Sequence, residues 1–259
     1  MYNDIGILGM DLIAGGMLKY VLINDLVVII AYALGCISPA TILAKKRGID
    51  IRKEGSGNPG TTNTLRVMGK KEALIVLLVD ILKGAIAVVL AGTLIGVDAA
   101  MIAALFVFIG HVFPITHDFQ GGKGVATAFG ALTAIHPALG FGCLGIVIVC
   151  VAISRRMSVG SIVGAIACPV LAFFMVPRFF PYALFIAVIV LFKHAGNIKR
   201  LMRGEEPKLS FKSKGKSEKT DETKKEIDKQ EDTKIKPAEN AKQSEGEEKK
   251  KHEEDEFDF

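Results

Sequence analysis

The chain has 259 residues, half of them hydrophobic, with 27 glycines, no tryptophan, a formal charge of +5 and a mean hydropathy of +0.39. Roughly the first 200 residues hold nearly all the long apolar runs, several near the ~20 residues that cross a bilayer, which excludes one or two soluble domains and points to an all-α polytopic membrane protein. The +5 averages a basic body, +9 over Met1–Arg203, and an acidic tail, −4 from Gly204 onward, so it carries no nucleic-acid signal.

Residues 1–23 form an N-terminal extracytoplasmic or interfacial segment. Asp11, Lys19 and four glycines interrupt its apolar run Ile5–Ile23, and no basic region precedes it, so it does not read as a cleavable signal peptide. Residues 24–203 form the membrane domain, with seven predicted helical spans at about 24–44, 72–96, 98–115, 124–135, 138–154, 159–176 and 181–200. The fourth is short and ends at Pro137. The loop 45–71 carries eight lysines and arginines and reads as cytoplasmic. Seven spans with the N-terminus out and the C-terminus in also put Lys123 and Arg155–Arg156 inside, whereas fusing spans four and five would put that arginine pair outside.

Residues 204–259 hold 14 lysines against 18 acidic residues with almost nothing apolar, a composition that predicts a disordered cytoplasmic tail of unknown partner. The four cysteines, Cys36, Cys143, Cys150 and Cys168, all lie in apolar segments, have no C-x-x-C spacing, and read as buried small hydrophobes without disulfide or metal. Asp80 and Lys83, three apart inside the second span, read as an ion pair facing the bundle interior or as part of a substrate site.

Three polar constellations fall on the predicted cytoplasmic side. "EGSGNPGTTNTLR", Glu54 to Arg66, matches G-x-G-x-x-G through Gly55, Gly57 and Gly60. It follows a membrane helix and a charged segment rather than a β-strand, so it is not a dinucleotide fingerprint. Glycine-rich backbone still presents N–H groups to phosphate oxygens. Ser56, Asn58, Thr61, Thr62 and Asn63 add donors, and Arg66 adds a fork that fits phosphate. "GHVFPITHDFQGGKGVATAFG", Gly110 to Gly130, flanks Lys123 with Gly121, Gly122 and Gly124, just before a helix N-terminus that favours an anion. It lacks the first glycine and the Ser/Thr of a Walker loop; its His117 and Asp118 read as solvated. "FKHAGNIKRLMRGEEPKL", Phe192 to Leu209, sets His194 and Asn197 on one helical face above a basic collar of Lys193, Lys199, Arg200 and Arg203.

Taken in order, "GSGNPGTTN" with Arg66, "GHVFP…FQ-GGKGVAT" and "KHAGNIKRL" resemble the bacterial acyl-phosphate:glycerol-3-phosphate acyltransferases of the PlsY type, over about residues 24–209. The tail lies outside the resemblance, and "ITHDFQ" is more polar than the family's pattern. The resemblance implies transfer of a fatty acyl group from acyl phosphate to the 1-hydroxyl of glycerol 3-phosphate, giving lysophosphatidate and phosphate, at the first acylation of phospholipid synthesis. It further implies a multi-pass enzyme of the bacterial cytoplasmic membrane, in contact with membrane lipids, with its active site facing the cytoplasm and no metal or other cofactor. Carried onto this chain, Ser56, Arg66, Lys123, His194 and Asn197 match the catalytic positions. Gly55, Gly57, Asn58, Gly60, Thr62, Asn63, Gly121 and Gly122 would hold substrate phosphate. His194 would be the general base or, with the donor's own phosphate taking the proton, a ligand of glycerol 3-phosphate. The alternative, a transporter of an anionic phosphate-bearing solute, is disfavoured by the lack of an internal repeat and by polar groups on one side only. No His stands five before an Asp, as an acyl-CoA-type acyltransferase would require, and no spaced aspartates mark a CDP-alcohol phosphotransferase.

Overall fold

The computed structural model describes residues 16–209, with side chains from Val21 onward. The expectations for residues 1–15 and for the tail beyond Leu209 lie outside the described residues. Among these, every regular element is helical: α1 (Gly16–Cys36), α2 (Pro39–Lys45), α3 (Thr61–Val67), α4 (Lys70–Leu94), α5 (Val97–Val112), α6 (Val125–Ile135), α7 (Pro137–Ser154), α8 (Met157–Met175), α9 (Phe180–Lys193) and α10 (Ala195–Met202), with single 3-10 turns at Ile115–His117 and Pro177–Phe179.

Local chemistry sets the breaks. Ser38 caps α2 by accepting from the Thr41 N–H at 3.4 Å, and Pro39 opens that helix, where its missing N–H costs nothing. His136 in extended conformation, followed by Pro137, separates α6 from α7, as the sequence predicts. Arg155 stops α7 in the left-handed conformation at φ 55°.

Five helical stretches are long and apolar enough to cross a bilayer, beginning with α1 and α2 taken together as Val21–Lys45. A sixth counts if Pro177–Lys193 and Ala195–Met202, bent by 56° at His194, form one span. The expected single helix 181–200 is therefore broken, because His194 ends α9 rather than continuing it. The expected fourth span, α6, has 11 residues, about 16 Å at 1.5 Å per residue, and falls short of the ~30 Å hydrocarbon layer. It is held inside the bundle instead.

Small residues let these helices touch backbone to backbone, the packing that works where lipid supplies no hydrophobic drive. A Cβ on Gly35 of α1 would fall 2.3 Å from the Val107 carbonyl oxygen of α5, and one on Gly110 would fall 2.2 Å from that of Tyr32. In the same way Gly84 of α4 meets Thr127 of α6, and Gly130 of α6 meets Ile81 of α4, with clearances of 2.2 and 2.0 Å. The α7–α8 and α8–α9 pairs complete the bundle. Phe108, Phe179, Leu139, Val76 and Val88 fill its interior, while Leu22, Ile29, Leu78, Ile148 and Phe174 face outward as a lipid-facing surface must.

One ion pair is fully inside. Lys83 Nζ lies 2.8 Å from Asp80 Oδ1 and donates to the carbonyls of Gly35 at 3.1 Å and Ile37 at 2.7 Å, where α1 runs out of helical partners. His111 Nδ1 stands 2.8 Å from the same ammonium. The pair joins α4, α1 and α5 at one point. Removing one partner strands the other: Asp80→Ala is expected to lower stability by about 3–5 kcal/mol in detergent-solubilised unfolding. Asp98→Ala, which breaks the exposed pair with Arg178 (2.8 Å), is expected to cost no more than about 1 kcal/mol.

Candidate active site

The loop from Lys46 to Gly60 is built around Asn63. This side chain is buried; its Oδ1 accepts from the Ser56 N–H at 2.8 Å, and its Nδ2 donates to the carbonyls of Ile51 at 3.2 Å and Glu54 at 3.0 Å. Gly55 and Gly57 take left-handed φ values of 60° and 69°, which side chains disfavour. The Gly57 N–H closes a turn on Glu54 O and the Gly60 N–H another on Asn58 O. Asn63 staples the loop, both its donors being spent on main chain, and it also borders the cavity. The Gly57 and Gly60 amides close turns, and Gly60 borders the cavity while Gly55 and Gly57 lie off its wall. From this loop and the start of α3, Ser56, Asn58, Gly60, Thr61, Thr62, Asn63 and Arg66 line the cavity.

The second constellation behaves similarly. The N–H groups of Gly121 and Gly122 donate to the carbonyls of Val112 at 3.2 Å and His111 at 3.1 Å, the open C-terminal end of α5. These two bonds tie the segment to the end of α5. Their work is to lay the segment flat so that Lys123 emerges into the cavity. His117 pairs with the Thr116 hydroxyl at 2.7 Å, and His117 and Asp118 lie off the cavity wall, as expected of solvated residues.

The third constellation meets the second. Lys123 Nζ donates to Asn197 Oδ1; Asn197 Nδ2 donates to Glu206 Oε1 at 2.7 Å; Arg200 Nε donates to Glu206 Oε2 at 2.8 Å. His194, at the α9–α10 bend, is 3% exposed and donates from Nδ1 to the Val190 carbonyl at 2.8 Å, which leaves Nε2 as its open ring nitrogen. Lys193 turns away, donating to Val112 O at 3.4 Å with its ammonium 5.0 Å above the Phe113 ring. Residues 204–209, assigned by composition to the tail, pack here: the Arg156 guanidinium donates to Glu206 O at 3.0 Å, and the Leu209 N–H to Arg155 O at 2.7 Å.

These groups line one cavity of about 480 Å³. Its lining combines polar groups, among them Ser56, Thr62, Arg66, Lys123, His194, Asn197 and Arg200, with apolar ones such as Leu77, Ile81, Leu132, Val147, Ile186 and Val190. Such a shape accommodates a charged head and a hydrocarbon chain together. Burial pulls Lys123 down from 10.5 to about 8, with Arg200, Arg66 and Lys193 adding to the fall and Glu206 opposing it. Burial pushes the Glu206 carboxyl up, but hydrogen bonds from Asn197 and Arg200 outweigh this and hold it below the usual value. Among the described residues no three His, Cys, Asp or Glu side chains converge as a metal site would need.

Of the five residues expected to be catalytic, all five border this cavity. Sequence reasoning left out Glu206, Ser158 and the cavity-facing role of Arg200. The available signal was the pair Pro207 and Leu209, which breaks the charge run just after Glu206.

The glycerol-3-phosphate acyltransferase family profile matches residues 26–204. The glycerol-3-phosphate acyltransferase of Thermoanaerobacter pseudethanolicus is 44% identical over 191 residues, covering 73% of this chain and 96% of that protein. That of Clostridioides difficile is 42% identical over 196 residues, covering 72% and 96%. Among solved structures, the crystal structure of PlsY (YgiH), an integral membrane glycerol 3-phosphate acyltransferase, in its glycerol 3-phosphate form superposes with a TM-score of 0.69 at 34% identity, over 72% of this chain and 96% of that one. Its lysophosphatidic acid form gives 0.67 at 32% identity, over 73% and 96%. With the three constellations gathered at one cavity and these matches spanning nearly the whole length of the relatives, the chain belongs to the glycerol-3-phosphate acyltransferase family.

Proposed function

We propose that this chain transfers a fatty acyl group from acyl phosphate to the 1-hydroxyl of glycerol 3-phosphate, releasing lysophosphatidate and inorganic phosphate. Acylation of glycerol 3-phosphate, the first step of phospholipid synthesis, is the activity of its family; the donor and the position acylated are the finer reading. The observation that carries it is the cavity itself: Arg66, Lys123 and Arg200 line the same space as a large apolar surface. Both substrates bear phosphate and one bears an alkyl chain, so a single cavity with both kinds of lining suits the pair.

In this reading the glycerol hydroxyl oxygen attacks the acyl carbonyl carbon, the carbon–oxygen bond to phosphate breaks, and the hydroxyl proton leaves on that phosphate. The leaving group is already good, so a weak base suffices. His194 Nε2, open because Nδ1 donates to Val190 O, accepts from the glycerol hydroxyl and orients it. Lys123 and Arg66 balance the charge that gathers on the phosphates, and Ser56 and Thr62 donate to their oxygens. Asn197 holds Lys123 in place from one side while Glu206 holds Asn197.

The same reading makes the chain a protein of the bacterial cytoplasmic membrane with seven helical passes, counting α6. The N-terminus is outside and the C-terminus inside. The cluster from Lys45 to Lys71, Lys123 and Arg155–Arg156 supports that orientation.

Purified chain given acyl phosphate and glycerol 3-phosphate is expected to release phosphate, and with acyl-CoA as donor to form no product; no release from acyl phosphate would defeat the reading. His194→Ala is expected to cut kcat by about 10²-fold or more, and near-normal turnover would remove His194 from the chemistry. The pH dependence follows from Lys123. Its ammonium is present below about 8 and lost above it. Because a bound phosphate favours the charged form, affinity for glycerol 3-phosphate should fall as pH rises through 8, by up to about tenfold per unit for one proton. Steady-state KM from pH 7 to 9.5, with Lys123→Arg as the variant whose KM stays flat, measures it.

A further inference from the structure

The Asp80–Lys83–His111 cluster is not used by the chemistry above, yet Asp80 and His111 line the same cavity as Lys123. His111 ends α5 and is nearly wholly buried. Its Nδ1 is 2.8 Å from Lys83 Nζ and 3.3 Å from Asp80 Oδ1, and that ammonium is itself anchored on Gly35 O and Ile37 O. The ring therefore has no room to turn. Its other edge faces Gly122: a Cβ there would lie 2.2 Å from His111 Nε2 and 2.9 Å from Cε1. The His111 carbonyl accepts the Gly122 N–H at 3.1 Å. Ring and main chain of one residue thus form the floor on which the residue before Lys123 rests. On the other side Gly124, at φ 79°, starts α6 against the Phe108 ring.

We infer that His111, immobilised by Lys83 and Asp80, is the positioning residue for Lys123. The buried cluster sets the height of the Gly121–Gly122 segment, and so where the Lys123 ammonium meets a substrate phosphate. The inference rests on the acyl-transfer reading for the identity of that substrate. It differs from a purely structural role in one respect: the Gly122 requirement comes from a side chain, His111, and not from backbone conformation, since Gly122 is absent from the left-handed residues. A side-chain obstacle can be removed by mutation.

The experiment is a double-mutant cycle on the full chain, with KM and kcat for glycerol 3-phosphate and, in parallel, its equilibrium binding by calorimetry. Gly122→Ala alone should raise KM by about tenfold or more while kcat stays within about threefold, because the displaced lysine weakens phosphate binding. His111→Asn keeps an oxygen that can accept from Lys83 but removes the ring edge. In that background Gly122→Ala should raise KM by no more than about threefold, a coupling that independent sites do not give. His111→Ala repeats the test, so a fold defect in one variant, read from helix content and unfolding temperature, leaves the other. An equal rise in KM from Gly122→Ala in all three backgrounds would overturn the inference while leaving the acyl-transfer reading intact. A wild-type chain that binds glycerol 3-phosphate without turning it over would sink that reading instead, with the coupling then read from the binding constants. A wild-type chain that does not bind it overturns both.

Discussion

Everything at the cavity depends on an ammonium group that the bilayer cannot solvate. Lys83 is placed where α1 stops, and helix ends leave carbonyls without partners. In water those carbonyls would be hydrated; between membrane helices they need donors from the protein. Lys83 supplies two, to Gly35 O and Ile37 O, and its charge is met by Asp80 one turn away on the same helix. The cost of burying a charge is thereby turned into the means of ending α1 inside the bundle, which frees the chain to start α2 at Ser38 and reach the Asn63-centred loop.

Close helix contact does the rest of the placement. The glycine contacts between α1 and α5 bring Gly35 and Gly110 together beside His111, while those between α4 and α6 seat the short helix against Ile81 and Gly84. Only 11 residues long, α6 packs against α4, α5 and α7, and the residue two before it is Lys123.

Much of this was legible in the sequence because it was local. Apolar runs gave the helices, Pro137 the break between α6 and α7, and the i, i+3 spacing the Asp80–Lys83 pair. The three polar stretches, each too weak alone, pointed jointly to one cavity. What was not legible depended on where hydrogen bonds go after folding. A glycine-rich stretch rich in Asn and Thr reads as a phosphate cradle, but its residue types do not foretell that the Asn63 amide and the N–H groups of Gly57, Gly60, Gly121 and Gly122 bond neighbouring carbonyls. Nothing in the residue types tells a donor aimed at a ligand from one aimed at its own loop. Glu206 was hidden for another reason: it sits at the head of a run of charged residues, and composition averages over a window that hides one buried carboxylate. The bend at His194 escaped because "FKHAGNIKRL" keeps helical spacing across it.

The charge balance of the cavity gives the last step. Arg200, Arg66 and Lys193 all act against the charge on Lys123, and Glu206 is the carboxylate set in its favour. Arg200 and Asn197 already claim both Glu206 oxygens, so its charge is largely spent on holding the arginine. The surplus is positive, and the fall of Lys123 to about 8 reflects burial aggravated by that surplus. A cavity left in this state favours whatever brings two negative charges on a compact group, and it gains most from a dianion that touches Lys123 and Arg66 at once. Neutral headgroups would leave the repulsion unrelieved, and a single carboxylate would relieve half of it. The resting site is thus electrostatically incomplete, and in the acyl-transfer reading a phosphate entering beside the apolar lining completes it.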